Sequence, residues 1–171
     1  IRPKAPEHHD SRGYAGKIIS GIYRKGDKIK VLPSGVDSTI KGIEIAGKEV
    51  HEAIAPQSVV LHLEDDIDIS RGDMIVPTNN QPKLEQEFEA LICWMDNKPL
   101  IPGNKYLLQT NSRVVRSVVK EIQYQLDVNT LEKNESPAQA VLNDIIKVNI
   151  KTASPVAFDS YKELRQNGGA I

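Results

Sequence analysis

The sequence holds a single cysteine, Cys93, few aromatic residues at 5%, a net charge of only -1, and no methionine at its start. Each shortage removes a class of protein. One cysteine excludes an internal disulfide framework and fits a reducing compartment, so a cytoplasmic location is expected. Charged residues make up 26% of the 171 but nearly balance, which implies neither a polyelectrolyte tail nor a general attraction to nucleic acid. No apolar run approaches the ~20 residues that cross a bilayer, and Ile1-Arg2-Pro3-Lys4 has no signal-peptide core, so no membrane association is expected. Beginning at Ile1, the chain reads as a part excised from a longer polypeptide.

Catalytic signatures are lacking as well. No Gly-x-x-x-x-Gly-Lys-Ser/Thr phosphate loop occurs, no dinucleotide fingerprint follows a strand, and no Ser, His and acid grouping is suggested. The expectation for this segment is no catalytic, no cofactor-binding and no metal-binding residue.

What is present is strand chemistry. Val59 to Val76 contains two apolar runs, Val59 to Leu63 and Met74 to Val76, separated by an acidic loop and the turn Ser70-Arg71-Gly72-Asp73, the form of a hairpin corner. Before it, strands are expected at Gly16 to Tyr23, Lys28 to Leu32, Thr39 to Ile45 and, more weakly, Val50 to Ala55. Glycine turns at roughly ten-residue spacing, with no helical period, indicate an antiparallel barrel or sandwich. Pro77 to Pro82 has no apolar residue and is the expected linker, giving domains 1–82 and 83–171.

In the second half, Phe88 to Met95 is nearly continuously apolar and reads as a central strand buried on both faces, with Trp94 anchoring the core. Lys105 to Gln109 is a short strand. Ser112 to Asp127 is rich in β-branched residues and reads as a strand rather than a helix, with Val114, Val118, Ile122, Tyr124 and Leu126 in one parity. Ser136-Pro137-Ala138-Gln139 is a candidate helical turn with Ser136 as N-cap. Ile146 to Ile150 and Pro155 to Phe158 are two further strands, and the chain stops near Gly168 where another would begin, so the second barrel reads as cut short.

The candidate sites carry ordinary explanations. His8, His9 and Asp10 are three potential ligands, but neighbours on an extended chain point apart and structural zinc takes four. Glu64, Asp65, Asp66 and Asp68 resemble a cation loop, yet an EF-hand register from Asp66 puts Arg71 at the glycine position and Pro77 at the bidentate glutamate. A solvated tip is expected. Arg71-Gly72-Asp73 matches an adhesion tripeptide in letters only. Cys93 reads as a small buried hydrophobe, and Arg113, Arg116 and Lys120 as surface charges divided between two faces.

Several stretches together carry a resemblance: Arg12-Gly13-Tyr14-Ala15-Gly16, Val31-Leu32-Pro33-Ser34-Gly35, Leu63 to Asp73, Trp94-Met95, Tyr124, Asp127 to Glu132, Leu142-Asn143-Asp144-Ile145, and Phe158-Asp159-x-Tyr161. Over nearly its whole length the chain is similar to the two barrels that follow the GTPase domain in translation-factor-type GTPases, and most closely to the GTP-binding subunit of heterodimeric bacterial sulfate adenylyltransferase. The resemblance implies an all-β fold of two consecutive antiparallel β-barrels of the translation-factor domain II and domain III type. It implies an enzyme that makes adenosine 5'-phosphosulfate and pyrophosphate from ATP and sulfate, coupled to GTP hydrolysis, with adenylyl transfer on a small partner subunit. GTP and magnesium are then expected in a domain preceding Ile1. Asn97-Lys98-Pro99-Leu100 lacks the aspartate of the guanine reader, so no family site residue carries over. The rivals are a nucleic-acid or ribosome-binding module, disfavoured by balanced charge and few aromatics, and a self-sufficient enzyme. The chain alone is expected to bind neither GTP nor ATP, since a phosphate cradle needs amides and a lysine in an arrangement it lacks. Calorimetry with magnesium present measures this, and micromolar binding of GTP would overturn it.

Overall fold

The computed structural model describes residues 12–171. His8, His9 and Asp10 lie outside the described residues. Those up to Lys83, with Ala157–Gly169, form one compact unit, and Leu84–Val156 with Ala170–Ile171 form another.

The first unit holds β1 (Gly13–Lys17), β2 (Ile22–Arg24), β3 (Lys28–Leu32), β4 (Val36–Ile45), β5 (Lys48–Val50), β6 (Glu52–Ile54), β7 (Ser58–Leu63) and β8 (Met74–Pro77). Its main sheet runs β1-β7-β4-β3-β8, with β5 on β4, and β2 pairs β6 as a separate ribbon. Alternation selects the core, with one change of phase in β4 between Ile40 and Gly42. Ile29, Val31, Ile40, Ile43 and Leu61 are buried while Lys28, Lys41 and Asp37 face outward. Each such aliphatic side chain contributes about 1.5–3 kcal/mol. The exposed pairs Arg24–Glu52 and Lys25–Glu49 are worth about 0.2–1 kcal/mol each, so the core decides the fold.

Two expected elements change. The strand from Gly16 to Tyr23 is instead β1 and β2, broken at Ile18 to Gly21, where Gly21 turns with φ of 77°. The weak strand Val50 to Ala55 is split between β5 and β6. The larger correction is the hairpin corner. β7 pairs β1 and β4, whereas β8 pairs β3, so residues 64–73 carry the chain between strands that are not neighbours. The expected turn is present at its end: the Asp73 N–H donates to the Ser70 carbonyl at 3.1 Å, and Gly72 has φ of 92°.

The second unit holds β9 (Lys83–Cys93), β10 (Lys105–Thr110), β11 (Arg113–Leu126), β12 (Lys133–Glu135) and β13 (Ile145–Phe158), in the order β10-β11-β13-β9 with β12 on β11. Ser112 to Asp127 is a strand, as its composition predicts. Its parity is not the expected one: Val115, Ser117 and Val119 are buried and Val114 is 54% exposed. A register shift between Val119 and Glu121 inserts one residue against β13, after which Ile122 faces the core. Ile146, Val148 and Ile150 are buried as predicted, but β13 runs on through Pro155 as one strand. The last residue it registers to β11 is Thr152, so the missing proline N–H breaks no bond there. Ser136 has φ of 48°, which an N-cap does not adopt, and no helix starts there. The one short helix among the described residues, α1 (Arg165–Gly168), lies elsewhere.

β9 is outermost in its sheet, not central. Phe88, Ala90, Ile92 and Trp94 pack on the core, and the opposite parity, Leu91, Cys93 and Met95, is exposed. Trp94 does anchor this end, edge-on to Tyr106 with ring centroids 5.6 Å apart and its indole N–H donating to the Lys98 carbonyl at 2.7 Å. Cys93 is therefore exposed rather than buried.

Two measurements check these assignments. Gly72→Ala should cost about 1 kcal/mol or more, because a side chain is disfavoured at its positive φ. Asp66→Ala, which removes an exposed carboxylate, should cost on the order of 0.5 kcal/mol or less; urea unfolding of both compares them directly. Separately, the native chain should be alkylated at Cys93 at nearly the rate of the unfolded chain, whereas strong protection would return that thiol to the core.

Candidate functional site

The acidic loop is the densest cluster of charge that sequence reasoning singled out, and its construction begins with alternation. Glu64, Asp65, Asp66 and Asp68 are exposed while Ile67 between them is buried. The carboxylates are solvated, as expected, but the loop is not a free tip. The buried Ser38 hydroxyl of β4 donates to Asp65 Oδ2 at 2.8 Å. From the position just before β1, Arg12 Nη1 stands 3.1 Å from Asp66 Oδ1 and 3.8 Å from Asp68 Oδ1. The carboxylates thus diverge onto separate partners. Among the described residues no group of three His, Cys, Asp or Glu side chains is placed to hold a metal ion.

The Arg71-Gly72-Asp73 tripeptide lies in the turn before β8. Its aspartate is turned inward on the turn itself, where Oδ2 accepts the Ser70 N–H at 2.8 Å. On the same sheet His62 Nε2 lies 2.7 Å from Glu44 Oε1, and glycines stand opposite His62 on both flanking strands, Gly13 on β1 and Gly42 on β4. The imidazole lies over the sheet where neighbouring side chains are absent.

Arg113, Arg116 and Lys120 do not converge. Arg113 reaches the Ser154 hydroxyl at 3.4 Å, Arg116 is exposed, and Lys120 crosses to Glu87 at 2.6 Å. This last contact belongs to a polar ladder that sequence reasoning missed. Glu87 also accepts from Asn149 at 3.3 Å, and Glu89 pairs with Lys147 at 2.6 Å and accepts from Gln123. The odd-numbered glutamates of β9, alternating with its apolar residues, were the available signal.

Both carboxyls are held below the ordinary range. For Glu87 the largest cause is the hydrogen bond from Lys120, and for Glu89 the bond from Gln123, then that from Lys147. A depressed folded-state value favours the folded chain above the unfolded group's pKa, a preference lost as pH falls through the folded value. Lys120 and Lys147 are raised by the same contacts, so their share is present below the unfolded lysine pKa and lost as pH rises through the folded one. Hydrogen-bonded and solvent-facing, this ladder ties the strands β9, β11 and β13 together. Asp127 likewise is held low by the N–H groups of Asn129 and Thr130, which close the turn between β11 and β12.

No helix among the described residues is long and apolar enough to cross a membrane. Residues 87–171 match the GTP-eEF1A C-terminal domain-like family. The backbone superposes on that of sup35 complexed with GDP with a TM-score of 0.85 at 20% identity, covering 93% of this chain and 41% of that one. It superposes on translation elongation factor SelB from Methanococcus maripaludis with a TM-score of 0.68 at 18% identity, covering 85% and 32%. These likenesses are of fold, and they make the two sheets β-barrels of the translation-factor type. In sequence the chain is 43% identical over its full length to the bifunctional enzyme CysN/CysC of Mycobacterium tuberculosis, covering 28% of it. It is 41% identical over 95% of its length to sulfate adenylyltransferase subunit 1 of Bacteroides fragilis, covering 34% of that protein. The chain spans about a third of the length of the curated relatives it matches. Sharing their sequence along its length and the barrels of the translation factors, the chain is homologous to a segment of sulfate adenylyltransferase subunit 1.

Proposed function

We propose that this chain is the non-catalytic barrel region of a GTP-binding sulfate adenylyltransferase subunit, with domains at 1–82 and 83–171. The parent enzyme forms adenosine 5'-phosphosulfate and pyrophosphate from ATP and sulfate, coupled to GTP hydrolysis, in the cytoplasm. The observation that carries this is the identity of 41–43% along the chain to proteins of that name. GTP and magnesium belong to a separate GTPase domain of the parent, and adenylyl transfer to a small partner subunit. The barrels have a mechanical part: they support the GTPase domain, contact the small subunit and relay the nucleotide state between the two.

The geometry supports such a part. Strands with interlocked registers and dense cores shift as bodies rather than deforming continuously. A nucleic-acid-binding role has less in its favour, because Arg113 and Lys120 are turned to separate partners, Ser154 and Glu87, instead of converging with Arg116 in a groove.

Association with the small adenylyltransferase subunit tests the proposal. Calorimetry of the chain against that subunit should register complex formation, weaker than for the full-length GTP-binding subunit. Complex formation by the full-length subunit but none by this chain would remove the proposed contact. Binding to tRNA in place of the small subunit would favour the nucleic-acid role.

A further inference from the structure

Four carboxylates within five residues, at Glu64, Asp65, Asp66 and Asp68, repel one another and would extend an untethered loop. Here the loop is tied at its centre. The Tyr14 hydroxyl donates to the Ile67 carbonyl at 2.6 Å and accepts from the Ile67 N–H at 3.1 Å. Arg12 Nη1 donates to the same carbonyl at 3.2 Å while facing Asp66 and Asp68. A phenol has one donor and two acceptor positions, so one side chain satisfies both backbone groups of Ile67. Neither tie is local in sequence, being 53 and 55 residues away.

The residue between the two ties sets their reach. A Cβ at Gly13 would lie 2.6 Å from Val60 Cγ1 and 3.2 Å from His62 Cε1 on β7. A side chain there would push Val60 or β1 aside, and a lifted β1 would draw its neighbours Arg12 and Tyr14 away from Ile67.

We infer that Arg12 and Tyr14 are a latch coupling the entry of β1 to the acidic loop. The loop is ordered while the first residues of β1 are seated, and a displacement of the chain entering β1 frees the loop and redistributes its four carboxylates. The Ser70 to Asp73 turn is closed by its own hydrogen bonds and stays formed when the latch opens. This inference stands on the chain's own contacts and does not depend on any partner.

Hydrogen exchange on the 171-residue chain tests it. Tyr14→Phe keeps the ring and removes the hydroxyl, so the Ile67 amide should exchange roughly tenfold faster, the scale of one lost buried hydrogen bond, while amides of β3 and β4 are unchanged. Unchanged exchange at Ile67, or equal acceleration throughout the first unit, would overturn the latch. Gly13→Ala leaves Arg12 and Tyr14 in the sequence, yet by lifting β1 it should also speed exchange at 64–69 more than in the Ser70 to Asp73 turn. A loop indifferent to it would overturn the coupling. Finally, about 1 M salt, where the Debye length is about 3 Å, should loosen the loop in the parent chain but not in Arg12→Gln. The same salt response in both would remove Arg12 from the device.

Discussion

Register is the constraint on which both units depend. A strand buried on one face has two faces and one correct assignment, and sliding it by a single residue turns every apolar side chain outward. In the first unit the assignment is held by Ile29 and Val31 on β3 and by Ile40 and Ile43 on β4, all at 1% exposure or less. In the second it is held by Ile146, Val148 and Ile150. The exposed ion pairs follow from those choices and do not make them, since each is worth a fraction of one buried isoleucine.

Much of this is legible in the sequence, because alternation and turn chemistry are local. β3 falls where Lys28 to Leu32 alternates between turn formers, and Gly72 takes the positive φ that its place in Ser70-Arg71-Gly72-Asp73 predicts. What is not legible is long-range partnership. Val59 to Leu63 and Met74 to Val76 are strands, but nothing within that stretch says that β1 and β4 take the first while β3 takes the second. Position in the sheet is hidden in the same way. Phe88 to Met95 has the composition of a two-sided strand, yet it lies outermost and only one of its faces is covered, so Leu91, Cys93 and Met95 are exposed together.

The site residues divide along the same line. The carboxylates at 64–68 are conspicuous in the sequence, whereas Arg12, Tyr14 and Ser38, which hold them, are ordinary residues far away in the chain. Glu87 and Glu89 escaped notice because an alternating glutamate on a strand is unremarkable until Lys120, Asn149, Lys147 and Gln123 are seen facing it from two other strands. Across the chain the conspicuous residue types mark places to look, and their inconspicuous partners determine what those places do.

The extra residue in β11 bears on how such chains drift. Between Val119 and Glu121 the strand changes phase against β13, and between Ile122 and Tyr124 it changes back, so Ile122 lies in a short segment of opposite parity. A descendant that lost Lys120 would keep Ile122 opposite Val148 and alternate smoothly from Val115 to Ile122, losing only the pair that Lys120 makes with Glu87. At these two points the strand absorbs a gained or lost residue without turning its buried side chains outward, whereas a change of length elsewhere in it would flip them.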